Sequence, residues 1–174
     1  SDIAISSAAR YQTIVHNGTV FRNRSEGVYD PRDRGAVLDG ATDDTTAIVN
    51  TIGDMPSTGG TLFLSGIALI SSTITIAKPV SIVGIGSSNS NLDSDATLAT
   101  KGASGFLWTG GASTMFDVNG PIYGVRWESF FIDGGAAATI GVDLDRIRSS
   151  HFRNLRIGRF TTNCVKLHTS SVTA

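Results

Sequence analysis

The chain has 174 residues, of which 17% are charged and 7% aromatic, with 20 glycines and a formal net charge of −1. That balance suits one domain, or part of a larger one, built from many short strands and tight turns, and it does not fit a disordered tail. It supplies no basic field for nucleic acid or an anionic membrane, no stretch near the roughly 20 apolar residues that span a bilayer, and no charged start with an apolar run of the signal-peptide kind.

Residues 1–28 read as a distinct lead-in. One or two helical turns are expected over Ile3 to Arg10, weakened by Ser6-Ser7. The runs Thr13 to His16 and Thr19 to Arg22 flank Asn17-Gly18, a pair that tolerates positive φ at both centres of a type I′ turn. A β-hairpin with His16 facing solvent is therefore expected. Ser1 in place of Met points to processing or trimming at this end.

Residues 29–60 hold a turn between Gly35 and Gly40 and then a helix expected over about residues 43–53. Thr42 or Asp43 can accept the free N–H groups of its first turn, and Asp43 and Asp44 place negative charge at the positive end of its dipole. Ala47, Ile48 and Ile52 make an apolar stripe, and Gly53 with Pro56 ends the helix. Capping accounts for Thr42, Asp43 and Asp44 without a catalytic or metal-binding role.

From Gly60 the chain breaks into four-residue β-runs at Thr61, Ile67, Thr73 and Val80, separated by Gly, Ser or Lys-Pro. Internal repetition then discriminates between a sandwich and a stacked architecture. Trp127, Phe130 and Ile132 align with Phe152, Leu155 and Ile157 at a spacing of 25. Phe116-Asp117-Val118, Val142-Asp143-Leu144 and Val165-Lys166-Leu167 align at 26 and 23. Apolar positions recurring about every two dozen residues are a solenoid period. The repeat lacks a fixed Gly or Asp code and favours a right-handed parallel β-helix over a leucine-rich horseshoe or a propeller. The expected fold is an all-β solenoid with a short N-terminal capping α-helix, its first coils occupying 61–174. No capping element is visible after the last repeat, so the coils are expected to be truncated at this point.

Over residues 29–86, the Gly35-Ala36 turn, Asp39-Gly40, the Asp43-Asp44-Thr45 helix start, Gly59-Gly60 and Val83-Gly84-Ile85-Gly86 resemble, in order, the N-terminal module of pectate-lyase-superfamily β-helix proteins. The chain departs from that pattern at Leu64-Ser65-Gly66, where a Pro often precedes the Gly, and at Gly53 to Pro56, where the helix is shorter. The resemblance implies bacterial polysaccharide lyases and hydrolases or phage tailspikes, which are homotrimers that bind and cleave surface glycans. It also implies that catalytic groups lie on central coils or between subunits, outside this segment, so enzyme activity is left open.

The repeat alignment yields one site hypothesis. With Val142 and Leu144 inward, Asp143 and Asp145 point outward. Asp117 then stacks with Asp143 and Lys166, and Asn119 with Asp145 and His168, about 4.8 Å apart. Two carboxyl groups about 5–5.5 Å apart suit a retaining glycosidase, which makes Asp117, Asp143 and Asp145 catalytic candidates. A structural charge ladder closed by Lys166 is the simpler reading. Glu128 and Arg153 are expected to pair on the surface, with His151 beside them. Trp108 is the candidate for stacking on a sugar ring, with Leu107 taking the core position. Tyr123 is a second aromatic face, and Trp127 belongs to the core.

Cys164 is read as a small core residue; it has no partner for a disulfide or a cysteine metal site. Three scattered histidines lack ligand spacing, and Gly84-Ile85-Gly86 lacks the helix of a phosphate loop, so neither metal nor cofactor is expected. The leading functional expectation is the N-terminal part of a phage tailspike-like protein. It would be extracellular or on the virion and homotrimeric. Its partners would be surface polysaccharide and other phage tail or virion proteins, without nucleic acid or membrane insertion. The alternatives are a secreted bacterial polysaccharide lyase or glycoside hydrolase, and a noncatalytic adhesin or virion protein.

Overall fold

The computed structural model describes residues 12–16, 21–25, 27–87 and 103–168. The helical turns expected at Ile3 to Arg10, the Asn17-Gly18 tip, the side chain of His16 and residues 169–174 lie outside that description. Strands β1 (Gln12–His16) and β2 (Phe21–Ser25) pair antiparallel as a hairpin. Their register sets His16 opposite Phe21.

A short β3 (Val28–Tyr29) leads to a 3-10 turn over Pro31–Arg34, β4 (Asp39–Asp43) and the α-helix α1 (Thr45–Asp54). The helix buries Ala47, Ile48, Thr51 and Ile52. The strands that follow are β5 (Gly60–Leu64), β6 (Ile67–Ile70), β7 (Ile74–Ile76) and β8 (Val80–Gly84). After them come β9 (Gly105–Trp108), β10 (Thr114–Tyr123), β11 (Arg126–Asp133), β12 (Ile140–Arg148), β13 (His151–Gly158) and β14 (Asn163–His168). Between α1 and β5 the chain passes so close to Pro79 that a Cβ on Gly59, at φ 91°, would lie 1.8 Å from the Pro79 carbonyl oxygen. Only glycine fits there.

The expected right-handed β-helix is not what these strands form. They make a curled, forked eight-stranded parallel sheet in the order β3-β5-β8-β11-β9-β6-β4, with β13 also on β11, and a second parallel sheet in the order β14-β12-β10-β7. Leu62 sits opposite Ile82, Ile67 opposite Gly105, Ile74 opposite Phe116 and Phe116 opposite Val142, so successive strands are not related by one coil length. The fork lies in β11. Trp127 and Glu128 pair with β8, whereas Phe131 to Asp133 pair with β9. Ser129 between them is left-handed (φ 63°), which bends the strand and gives each half a different neighbour. The same bend recurs at Asn154 (φ 49°) in β13, and the Asn154 amide donates to Ser129 Oγ at 3.2 Å.

What the repeats identified is the local register. Trp127, Phe130 and Ile132 do lie opposite Phe152, Leu155 and Ile157. Phe116, Val142 and Val165 form one column, and Val118, Leu144 and Leu167 another. Phe106, Phe116, Trp127 and Phe130 meet edge to face or tilted in the core between the sheets, at centroid distances of 4.9–6.0 Å. Cys164 is not in that core. It is exposed, because β14 pairs with β12 at one edge and all six of its residues face solvent.

Candidate functional site

At the helix start the three expected capping residues divide the work differently. Asp43 accepts the Thr45 N–H at 2.9 Å and the Ser71 hydroxyl, tying α1 to the loop after β6. Thr42 instead donates its hydroxyl to Asp39, whose carboxylate also takes the Ala41 and Thr42 N–H groups. Asp44 holds the N-cap position, yet its side chain makes no cap bond. It turns back to accept the Val37 and Leu38 N–H groups at 2.7 and 3.1 Å and is 1% exposed. The acidic pair is thus a lock between the Gly35–Gly40 turn and the helix.

The two carboxyls respond to pH in opposite directions. The Ser71 hydroxyl, then the Thr45 hydroxyl and N–H, hold Asp43 below the ordinary carboxylate range. The unfolded chain binds this proton more readily, so Asp43 contributes stability that is lost as pH falls through its folded pKa. Burial, with repulsion from Asp39 and Asp43, raises Asp44, so its contribution favours the fold at low pH and fades as pH rises through its folded pKa. The variant Asp43→Asn is therefore expected to flatten the fall in melting temperature below about pH 4, measured by circular dichroism across pH, relative to the parent chain.

On the outer face of the four-stranded sheet the predicted polar ladder is present. Thr75, Asp117, Asp143 and Lys166 occupy one register row, and Asn119, Asp145 and His168 a second. Asp143 Oδ2 accepts from Lys166 Nζ at 3.0 Å, while its Oδ1 lies 2.7 Å from His168 Nε2 without hydrogen-bond geometry. Asp145 is 7% exposed and bonds Arg146 Nε at 2.9 Å, while Arg146 reaches on to the Gly120 carbonyl. Asp117 is half-buried, and its carboxylate has no hydrogen-bond or ion-pair partner among the described residues. Sequence alignment found this row because the register columns are regular there. It missed the His168 contact to Asp143, which runs diagonally between rows.

On the other sheet, Glu128 accepts from Arg153 Nη2 at 2.6 Å, the main reason its carboxyl titrates below the usual range, and lies 3.4 Å from Arg126 Nε. Trp108 does not face solvent. It is 4% exposed, with its indole N–H on the Gly111 carbonyl at 3.0 Å, and it is Leu107 that is only half-buried. The face of Trp108 is therefore not available to a sugar. Trp127 is buried as expected, and Tyr123 is 53% exposed. Among the described residues no group of three His, Cys, Asp or Glu is placed to hold a metal ion, and no helix is long and apolar enough to cross a membrane.

No family model matches the chain, the pectate-lyase superfamily suggested by residues 29–86 included, and no curated protein matches it. Among solved structures, the fold is similar to that of ORF18 of Geobacillus virus E2, with a TM-score of 0.67 and 24% sequence identity. The match covers 80% of this chain and 27% of that one, so the chain corresponds to about a quarter of the length of the phage protein, and what the two are shown to share is the fold.

Proposed function

We propose that this chain is a segment of a bacteriophage virion protein that binds host-surface polysaccharide along the outer face of the four-stranded sheet, as a homotrimer docked to other tail or virion proteins. The observation that carries the binding is the row in which the unpartnered Asp117 stands beside an Asp143 held by Lys166 and His168. Fixed carboxylate acceptors next to ammonium and imidazole donors are what the hydroxyls of a sugar need. The fold likeness to a Geobacillus phage protein supports the virion setting.

Binding without cleavage is the better reading of this face. A retaining glycosidase needs one carboxylate free to attack and one able to deliver a proton. Asp143 is instead anchored, its Oδ2 accepting from Lys166 Nζ and its Oδ1 lying against His168 Nε2, so it is not free to attack. Purified chain tested against capsular and O-antigen polysaccharides is expected to bind at least one of them and release no reducing ends. Asp117→Asn and Asp143→Asn should each weaken that binding about tenfold, the scale of one charge-assisted hydrogen bond. Failure to bind any polysaccharide, or unchanged binding by both variants, rejects the proposal. Light scattering of the protein tests the trimer.

A further inference from the structure

Resting on that reading, we infer that the polysaccharide is acidic and that its carboxylates are held at a cationic corner built from Tyr123, Arg126, Arg148 and His151. These residues come together because the turn from β10 to β11 stacks on the turn from β12 to β13. Tyr123 is the register partner of Arg148, and Arg126 that of His151. The turns are stitched by Gly124 N–H to the Arg148 carbonyl at 3.1 Å and His151 N–H to the Val125 carbonyl at 2.9 Å.

All four side chains face solvent. Glu128, on the strand that carries Arg126, is already shared between Arg153 and Arg126. The Arg148 guanidinium has no partner among the described residues, although its neighbour Arg146 is tied to Asp145 and Gly120. Arg148 also borders an open groove of about 370 Å³ that Leu144 and Leu167 line from the inner face of the sheet, opposite the Asp117 row. On the outer side, an unpaired, fork-shaped donor beside an exposed aromatic ring matches a uronate sugar. The guanidinium takes the carboxylate in bidentate fashion, and the ring takes a C–H face of the sugar.

Asp117 and Tyr123 lie on the same strand six residues apart, at most about 20 Å, across the register shift between Asn119 and Ile122. A glycan running along β10 can therefore place hydroxyls at the Asp117 row and a carboxylate at the corner. A polyphosphate ligand is disfavoured by the net charge of −1, which gives no long-range attraction to nucleic acid.

Affinity electrophoresis of the 174-residue chain in gels containing alginate, dextran or no polymer tests this, with an oligothymidylate gel-shift alongside. Alginate, a uronate polymer, should retard the chain, and dextran and the oligonucleotide should not. The retardation should weaken in about 0.3 M salt, where screening shortens to a few ångströms. Tyr123→Ala and Arg148→Gln should each weaken alginate binding about tenfold at an unchanged melting temperature, and Arg148→Lys should recover only part of it. Equal retardation by dextran, equal binding of the oligonucleotide, or variants that bind alginate like the parent overturn the inference. Binding of a neutral surface polysaccharide without alginate overturns it while leaving the polysaccharide-binding proposal standing; binding of none removes both.

Discussion

Replacing Trp127 by alanine is expected to lower the stability of the fold by about 3–5 kcal/mol, or about 6–20 °C in melting temperature for a chain of this size. Trp127 is 1% exposed, and its ring meets Phe116, Phe130 and Phe152 at 5.6, 6.0 and 5.7 Å. Its indole N–H donates to the Val80 carbonyl at 3.0 Å, joining β11 to the strand beside it. Removing the ring opens a cavity at the fork, where two sheet branches converge and neither can collapse without breaking register with the other. Trp127→Phe keeps most of the aromatic packing but loses the hydrogen bond, and should cost about 1–2 kcal/mol. Urea unfolding of both variants checks the order. Equal losses in the two would place the energy in the hydrogen bond and not in the packing.

Arg159→Ala should be nearly as damaging, by about 3 kcal/mol, because it strands a carboxylate that water does not reach. Asp133 is fully buried, and Arg159 grips it through two bonds of 2.7 Å, with Nε on Oδ1 and Nη2 on Oδ2. Asp133 Oδ1 also accepts the Gly135 N–H, so the pair fixes the turn after β11 against the end of β13. A double-mutant cycle is the decisive measurement. Asp133→Asn with Arg159→Leu should recover a large part of the loss, since the buried charge has gone. A double variant as unstable as the sum of the singles would show that the two residues act independently. The exposed Arg153–Glu128 pair makes the contrast, and its loss should leave the melting curve nearly unchanged.

Much of the polar ladder was legible in the sequence, because parallel strands in register repeat their side chains at fixed offsets. Asp117, Asp143 and Lys166 could be placed in one row from the apolar residues that flank them. Trp108 could not be placed in the same way. The run Phe106-Leu107-Trp108 fits alternation in either phase, and Phe106 and Trp108 took the core because β9 lies between β6 and the far half of β11. Thr42, Asp43 and Asp44 form a sequence that reads as one cap. Burial turned Asp44 toward Val37 and Leu38, since a carboxylate away from water needs its N–H donors wherever the fold supplies them.

By itself the sequence determined the hairpin, the helix over a stretch within a residue or two of Thr45–Asp54, the short parallel strands and which of them share a register in the second half. These depend on local patterns: turn residues, helix spacing and repeated apolar positions. Only the tertiary structure decided that the strands close into a forked, curled sheet facing a smaller one instead of a uniform coil. That choice rests on one strand dividing its pairing between two neighbours at the bend at Ser129. A repeat records which residues face inward, but not which neighbour each half of a bent strand will meet.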